Sequence, residues 1–242
     1  MACHKYEFPV DHADFWLFDV DRLKNFKPEL DHYLDSEERL ALDRFKDSHA
    51  ARTFFYSKSL TRYLLSKYLN LKPREIKIYK KEHGKPELAD NIGLHFNLSH
   101  SGNLVSFIFA PVPCGIDIEN FTRNIDYEQI MKRFFSQKEI HSWKNNSSNS
   151  KSIAFFRGWT RKEAFLKATG DGITGLSKCD ISFEPFLKQA LLSNKGHIAN
   201  QGKWFFYEIL PQPDYICSIV FKKLDLPLIK RKNNFSFSSA SE

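Results

Sequence analysis

The sequence predicts an α+β protein made of two similar α/β halves, a pseudo-dimer with its functional cleft at the seam. Three observations lead there. The chain has 242 residues, enough for one large domain or two modest ones of about 100–120 residues. Two successive stretches read in the same order: an apolar strand, then helical segments, then three strands. Pro111 and Pro113 punctuate the chain between them, which sets the halves at residues 1–112 and 113–229 and leaves a tail, 230–242.

In the first half, the apolar run Phe15-Trp16-Leu17-Phe18 reads as a buried strand. Ser36 to Phe45 reads as a helix opening on Ser-x-x-Arg, and Asp47 or Ser48 can cap a longer helix running to about Leu69. Leu60, Leu64 and Tyr68 recur there at i, i+4, i+8 and form an apolar face. Pro73 blocks continuation. Strands are expected at Ile76–Tyr79, Leu94–Leu98 and Leu104–Phe109. In the second half, a strand is expected at Cys114–Glu119, helices at Asp126–Phe135, Ser136–Trp143 and Lys151–Ala168, and strands at Cys179–Phe183, Lys203–Leu210 and Tyr215–Phe221. The polar run Asn145–Ser150 reads as a loop, and the tail from Lys230 onward, which lacks periodicity, as mobile.

Composition narrows the function classes. Hydrophobic residues make up 42% of the chain and 23 are Phe, ample for a core, so a mostly disordered chain is excluded. No apolar run is long enough to span a bilayer, and Met1 to Phe15 lacks a basic-then-apolar pattern, so neither a membrane helix nor a cleaved signal is expected. Cys3, Cys114, Cys179 and Cys217 are scattered, with no C-x-x-C pair. They read as buried free thiols of a cytoplasmic protein rather than zinc ligands. The net charge of +7 favours an acidic partner: nucleic acid, a phosphorylated cofactor or an acidic protein.

Four constellations carry chemistry. In Gly115-Ile116-Asp117-Ile118-Glu119 strand alternation puts both carboxylates on one face and both isoleucines on the other. Acids spaced about 7 Å along a strand repel unless a cation sits between them, and Mg²⁺ suits such hard oxygen ligands. An exposed strand face with two solvated acids is the plainer alternative. In Trp159–Lys167, Glu163 and Lys167 are an i, i+4 pair. Alone it is an ordinary surface ion pair; beside a metal and a phosphate it would supply an acid and an ammonium. Phe96-Asn97-Leu98-Ser99-His100-Ser101-Gly102 reads as a strand ending in a turn whose amides, hydroxyls and imidazole suit a phosphate. A Ser/His nucleophile pair is disfavoured there, because no G-x-S-x-G elbow surrounds it. His83-Gly84-Lys85-Pro86 is a turn able to present Lys85 to an anion or a purine, and it is not a Walker A loop.

In their order, Gly84-Lys85-Pro86, Phe96–Ser101, Gly115–Glu119 and Trp159–Lys167 resemble the 4′-phosphopantetheinyl transferase family, in particular the larger pseudo-dimeric type that activates nonribosomal peptide synthetases and other carrier-protein systems. The similarity extends through Arg44-Phe45, Arg52-Thr53 and Arg133-Phe134-Phe135-Ser136, over roughly residues 35–185. It implies transfer of the phosphopantetheine arm of coenzyme A to a serine of an apo acyl or peptidyl carrier protein, with adenosine 3′,5′-bisphosphate released. It further implies Asp117, Glu119 and Glu163 around Mg²⁺, with Lys167 and His100 on phosphates and Lys162 among the coenzyme A contacts. Lys85, Pro86 and Ser99 fall at the adenine and ribose end, and Arg52 and Thr53 at the 3′-phosphate. Asp117, Glu163 and Lys167 are the implied catalytic set, with Glu163 as base directly or through a metal-bound water. Some relatives carry lysines for the 3′-phosphate where this chain has Glu38 and Ala41, and Arg39 or Arg44 stand nearby as substitutes. The acceptor is expected against Met131–Phe135. A cytoplasmic monomer that binds neither nucleic acid nor membrane completes the expectation. A basic coenzyme A or nucleic-acid binder without turnover is the alternative class, though no nucleic-acid-binding signature appears.

Overall fold

The computed structural model describes residues 9–89, 92–145, 151–194, 204–222 and 229–232. Strand β1 (Ala13–Asp19) leads into helices α1 (Lys27–Asp31), α2 (Ser36–Leu42) and α3 (Ser48–Leu69), then β2 (Ile78–Lys80), β3 (Pro86–Leu88), β4 (His95–Ser101) and β5 (Leu104–Ala110). The series then repeats. Strand β6 (Cys114–Asn120) leads into α4 (Tyr127–Phe134), α5 (Gln137–Asn145) and α6 (Lys151–Thr169), then β7 (Cys179–Ile181), β8 (Leu191–Asn194), β9 (Trp204–Ile209) and β10 (Tyr215–Lys222). The sheet orders β1-β5-β4 and β6-β10-β9 correspond strand for strand. Among the described residues, four strands, not three, follow the helices in each run of the series. The additions belong to the ribbons β2–β3 and β7–β8, too short to show a hydrophobic alternation of their own.

Side-chain caps set the helix starts. Asp35 accepts from Glu38 N while the Glu38 carboxylate accepts from Asp35 N, a reciprocal box on α2. It lies one residue ahead of the Ser-x-x-Arg frame. Asp47 caps α3, and Asn70 ends it in the left-handed region at φ 54°. Ser136 and Glu139 cap α5 reciprocally.

The core follows the two periodicities. Trp16 and Phe18 of β1 pack with Leu60, Leu64 and Tyr68 of α3. Ala13 and Phe15, on the other face, pack between the sheets with Ile116, Ile118 and Ile219. At the seam, edge strands β4 and β6 are joined by side chains: Asn97 Oδ1 accepts from Ile116 N at 2.9 Å, and Ser101 Oγ accepts from Asn120 N at 3.1 Å.

Two expectations are corrected. Ser99, His100 and Ser101 lie within β4, paired with Ser106, Val105 and Leu104 of β5, so their backbone is committed to a ladder rather than free in a turn. The tail does not begin at Lys230. Strand β11 (Ile229–Lys232) runs parallel to β1 on its outer edge, which returns the end of the second half to the first sheet. Residues 146–150 and 233–242, expected as loop and tail, lie outside the described residues.

The strand is anchored by charge. Asp14, fully buried, accepts from Tyr68 OH at 2.6 Å and faces Lys232 Nζ and His12 Nε2 at 3.3 Å each. Removing one partner of a buried charge leaves the other uncompensated. Lys232→Met is therefore expected to lower unfolding stability by about 1–3 kcal/mol in urea titrations, the lower end reflecting its partial exposure. Adding Asp14→Asn to that variant should recover part of the loss.

Candidate active site

Strand alternation does in β6 what the sequence requires. Ile116 and Ile118 are fully buried between the sheets, while Asp117 and Glu119 turn to the opposite face. That face meets α6, and Gly115 sets the approach: a Cβ there would lie 2.0 Å from Ala164 O and 2.6 Å from Ala168 N. Only glycine lets the helix come so near. This close packing brings Glu163 and Lys167 of α6 beside the strand carboxylates.

The result is a cavity of about 730 Å³ with walls from both halves. His83, Lys85, Pro86, Ser99 and His100 come from the first half; Asp117, Glu119, Trp159, Glu163, Lys167 and the 170–174 loop come from the second. Asp117 Oδ1 accepts from Ser99 Oγ at 2.8 Å and from Lys167 Nζ at 2.7 Å. Lys167 Nζ also donates to Ser99 Oγ at 2.9 Å. Glu119 Oε2 accepts from Ser101 Oγ at 2.8 Å and from Arg123 at 2.7 Å.

The three acids feel one another. Burial, then the charge of Asp117 and more weakly of Glu119, raises the pKa of Glu163 against the pull of Lys167. Burial and Asp117 raise that of Glu119, opposed by Ser101 and Arg123. Surrounding protein and then Lys167 hold His100 below the usual imidazole range, so at neutral pH it meets the cavity as a neutral ring.

A divalent cation fits this donor set. Asp117 Oδ2 is buried without a hydrogen-bond partner, and two further carboxylates raise the local negative field. Among the described residues, no three acidic, histidine or cysteine groups are drawn close enough to form a metal centre as they stand. Lys167 holds Asp117 and Arg123 holds Glu119 instead.

The implied residues divide. Lys85, Pro86, Ser99, His100, Asp117, Glu119, Glu163 and Lys167 all line the cavity. Ser99 stands at the carboxylate end, its hydroxyl shared with Asp117 and Lys167, rather than with Lys85 and Pro86. Lys85 reaches across the seam to Ala168 O at 3.1 Å. Arg52 and Thr53 are outside the wall, and Arg52 donates to Asp21 at 2.6 Å. Glu38 is not at the cavity: with Asp35 it receives the buried Arg62 guanidinium of α3. Arg39 is taken by Asp31.

Lys162 is a correction. Its side chain is fully buried and donates to Leu176 O at 2.8 Å and to Cys179 O, and it pairs with Glu139 at 3.0 Å. A cavity phosphate has no access to it. The i, i+4 spacing places Lys167, not Lys162, on the face of Glu163.

Sequence reasoning missed Ser101 and Arg123 as partners of Glu119, and the 170–174 loop. The alternation Asn97, Ser99, Ser101 carried the signal for the first. Nothing in the local pattern marked the other two.

Comparison with known proteins agrees with the geometry. A family model described as 4′-phosphopantetheinyl transferase, N-terminal, matches residues 24–111, and one of the 4′-phosphopantetheinyl transferase superfamily matches 113–220. The 4′-phosphopantetheinyl transferase HetI of Nostoc sp. (strain PCC 7120) is 31% identical over 213 residues, 86% of this chain and 87% of the relative. The chain belongs to the 4′-phosphopantetheinyl transferase superfamily. Sfp of Bacillus subtilis (strain 168), also named a 4′-phosphopantetheinyl transferase, is 34% identical over 59% of this chain and 62% of its own. The L-aminoadipate-semialdehyde dehydrogenase-phosphopantetheinyl transferase of Schizosaccharomyces pombe is 30% identical over 70% of each. Membership makes the chain a transferase and agrees with the two-half α+β architecture. Among the described residues no helix is long and apolar enough to cross a membrane.

Lys162 gives a test that separates structure from binding. Lys162→Met strands the buried Glu139 charge and is expected to cost about 3–5 kcal/mol in chemical denaturation. Lys162→Met with Glu139→Gln should regain part of that, because the neutral amide removes the stranded charge and can still accept from Ser136 N or Ile181 N.

Proposed function

We propose that this transferase moves the 4′-phosphopantetheine arm of coenzyme A onto a serine of an apo acyl or peptidyl carrier protein and releases adenosine 3′,5′-bisphosphate. One observation carries the reading: Asp117, Glu119, Glu163 and Lys167, from a strand and a helix, meet in a single cavity with Lys85 and His100 of the other half. Three acids and a lysine around an elongated seam suit a diphosphate ester with a cation.

In this reading the acceptor serine Oγ forms a bond to the phosphorus bearing the pantetheine. The bond from that phosphorus to the bridging oxygen breaks, and its electron pair leaves with the nucleotide. Asp117, Glu119 and Glu163 would hold a divalent cation, Mg²⁺ by ligand preference, which supplies positive charge against the diphosphate. Lys167 spends two N–H groups on Asp117 and Ser99, and its third is left for a phosphate oxygen. Glu163 takes the serine proton, directly or through a water. Lys85, Pro86 and the 170–174 loop enclose the nucleotide end. Arg52 and Thr53 of α3, beyond the cavity wall, remain the candidates for the 3′-phosphate. All of these walls belong to one chain, which supports a monomer as the working unit.

The carrier docks on α4. Met131 and Phe135, expected as its apolar seat, are instead buried in the second-half core. Lys132 and Arg133 remain exposed, and Arg133 covers the Phe134 ring at 4.9 Å. Carrier recognition on this helix is therefore charge-led, and salt should slow it.

Incubation with coenzyme A, Mg²⁺ and a panel of apo carriers should add the mass of one phosphopantetheine to at least one of them. Asp117→Ala should abolish that gain while the circular dichroism stays native. A cation-dependent release of 4′-phosphopantetheine without acceptor would replace this reading by hydrolysis. Lys132→Glu or Arg133→Glu should raise KM for the carrier several-fold and leave KM for coenzyme A unchanged; an equal rise in both would remove α4 as the docking face.

A further inference from the structure

Asp117 and Glu119 are held in the same way. In each, one oxygen is bound twice: Asp117 Oδ1 by Ser99 of β4 and Lys167 of α6, Glu119 Oε2 by Ser101 of β4 and Arg123 of the loop after β6. In each, the second oxygen has no hydrogen bond among the described residues. Asp117 Oδ2 is buried, and Glu119, half-buried, has Oε1 free of hydrogen bonds among those residues. A serine orients the carboxylate, a cation offsets its charge, and one oxygen is left open.

Lys167 belongs to the chemistry already described; Arg123 and Ser101 do not. Arg123 is 52% exposed at its side chain. At that exposure the pair with Glu119 adds little to stability. Its charge nevertheless bears on the strand acids, which repel one another across a partly buried wall.

We propose that Ser101 and Arg123 are positioning residues for Glu119 with opposed effects on cation affinity. Ser101 fixes the carboxylate so that Oε1 is presented to the ion. Arg123 acts as an internal counter-ion that keeps Glu119 in place between turnovers and competes with the divalent cation for its charge. The competition keeps cation affinity moderate, so the ion is held firmly only together with the diphosphate. This deepens the reading under Proposed function and rests on it.

The two residues pull in opposite directions, which a merely structural role would not do. Free Mn²⁺ counted by electron paramagnetic resonance, with no coenzyme A present, gives the affinity directly. Arg123→Gln removes a unit charge held 2.7 Å from Glu119 Oε2 and should bind Mn²⁺ about three- to tenfold more tightly. Arg123→Lys should restore the wild-type value. Ser101→Ala leaves the charge unchanged and should bind about threefold or more weakly. Equal or weaker binding in Arg123→Gln, or a shift of the same sign in both variants, overturns the proposal and leaves the transferase reading intact. Wild-type protein that binds no Mn²⁺ yet modifies a carrier in excess chelator overturns the cation site itself, and the proposal with it.

Discussion

The site depends on how two edge strands meet. Strands β4 and β6 come from different halves and share no ladder. Serine hydroxyls and an asparagine amide join them instead. An edge strand ordinarily presents unpaired backbone groups; here small polar side chains answer some of those groups and, from the same strand, reach the carboxylates. The bonds that assemble the two halves are therefore also the bonds that aim Asp117 and Glu119. A seam sealed by ladder hydrogen bonds or by apolar packing would leave neither room nor orientation for a polar ligand.

Electrostatic tension is the second constraint. Three acids stand near one another because Gly115 lets α6 approach β6 so closely. Burial first, and then their mutual repulsion, raises the proton affinity of Glu119 and Glu163. Lys167 and Arg123 relieve it without neutralising every oxygen. Farther along α6, Lys162 and Glu139 are a balanced buried pair that also binds the chain after the 170–174 loop. One helix thus presents an open, strained cluster on one face and a closed, satisfied one on another.

Much of this was legible in the sequence, for identifiable reasons. The alternation in Gly115–Glu119 dictates which residues of β6 enter the core, and the i, i+4 spacing places Glu163 with Lys167. Long elements such as α3, α6, β5 and β10 declare themselves through period and caps. Lys162 misled because its side chain borders Glu163 in the motif yet leaves the helix on a different face, toward Glu139. The pairing of Arg52 with Asp21 and of Glu38 with Arg62 was not legible, because each partner lies elsewhere in the chain. Ser99 to Ser101 read as a turn because Gly102 follows, whereas their alternation continues the strand. Strand β11, at Ile229–Lys232, has basic residues and no apolar run; its pairing with β1 is a long-range fact that no local pattern carries.

That last strand bears on the count of clefts. Strand β1 corresponds to β6, and α3 to α6. Buried Asp14 on β1 is met by Tyr68 near the end of α3, much as Asp117 on β6 is met by Lys167 near the end of α6. Where β6 meets β4 only through side chains beside the cavity, β1 has its edge covered by β11, and Lys232 settles on Asp14. A symmetric pair of such halves would carry twin openings. In this polypeptide β11 covers the twin edge, so duplication yields asymmetry: one seam, walled by both halves, stays open and its counterpart is closed.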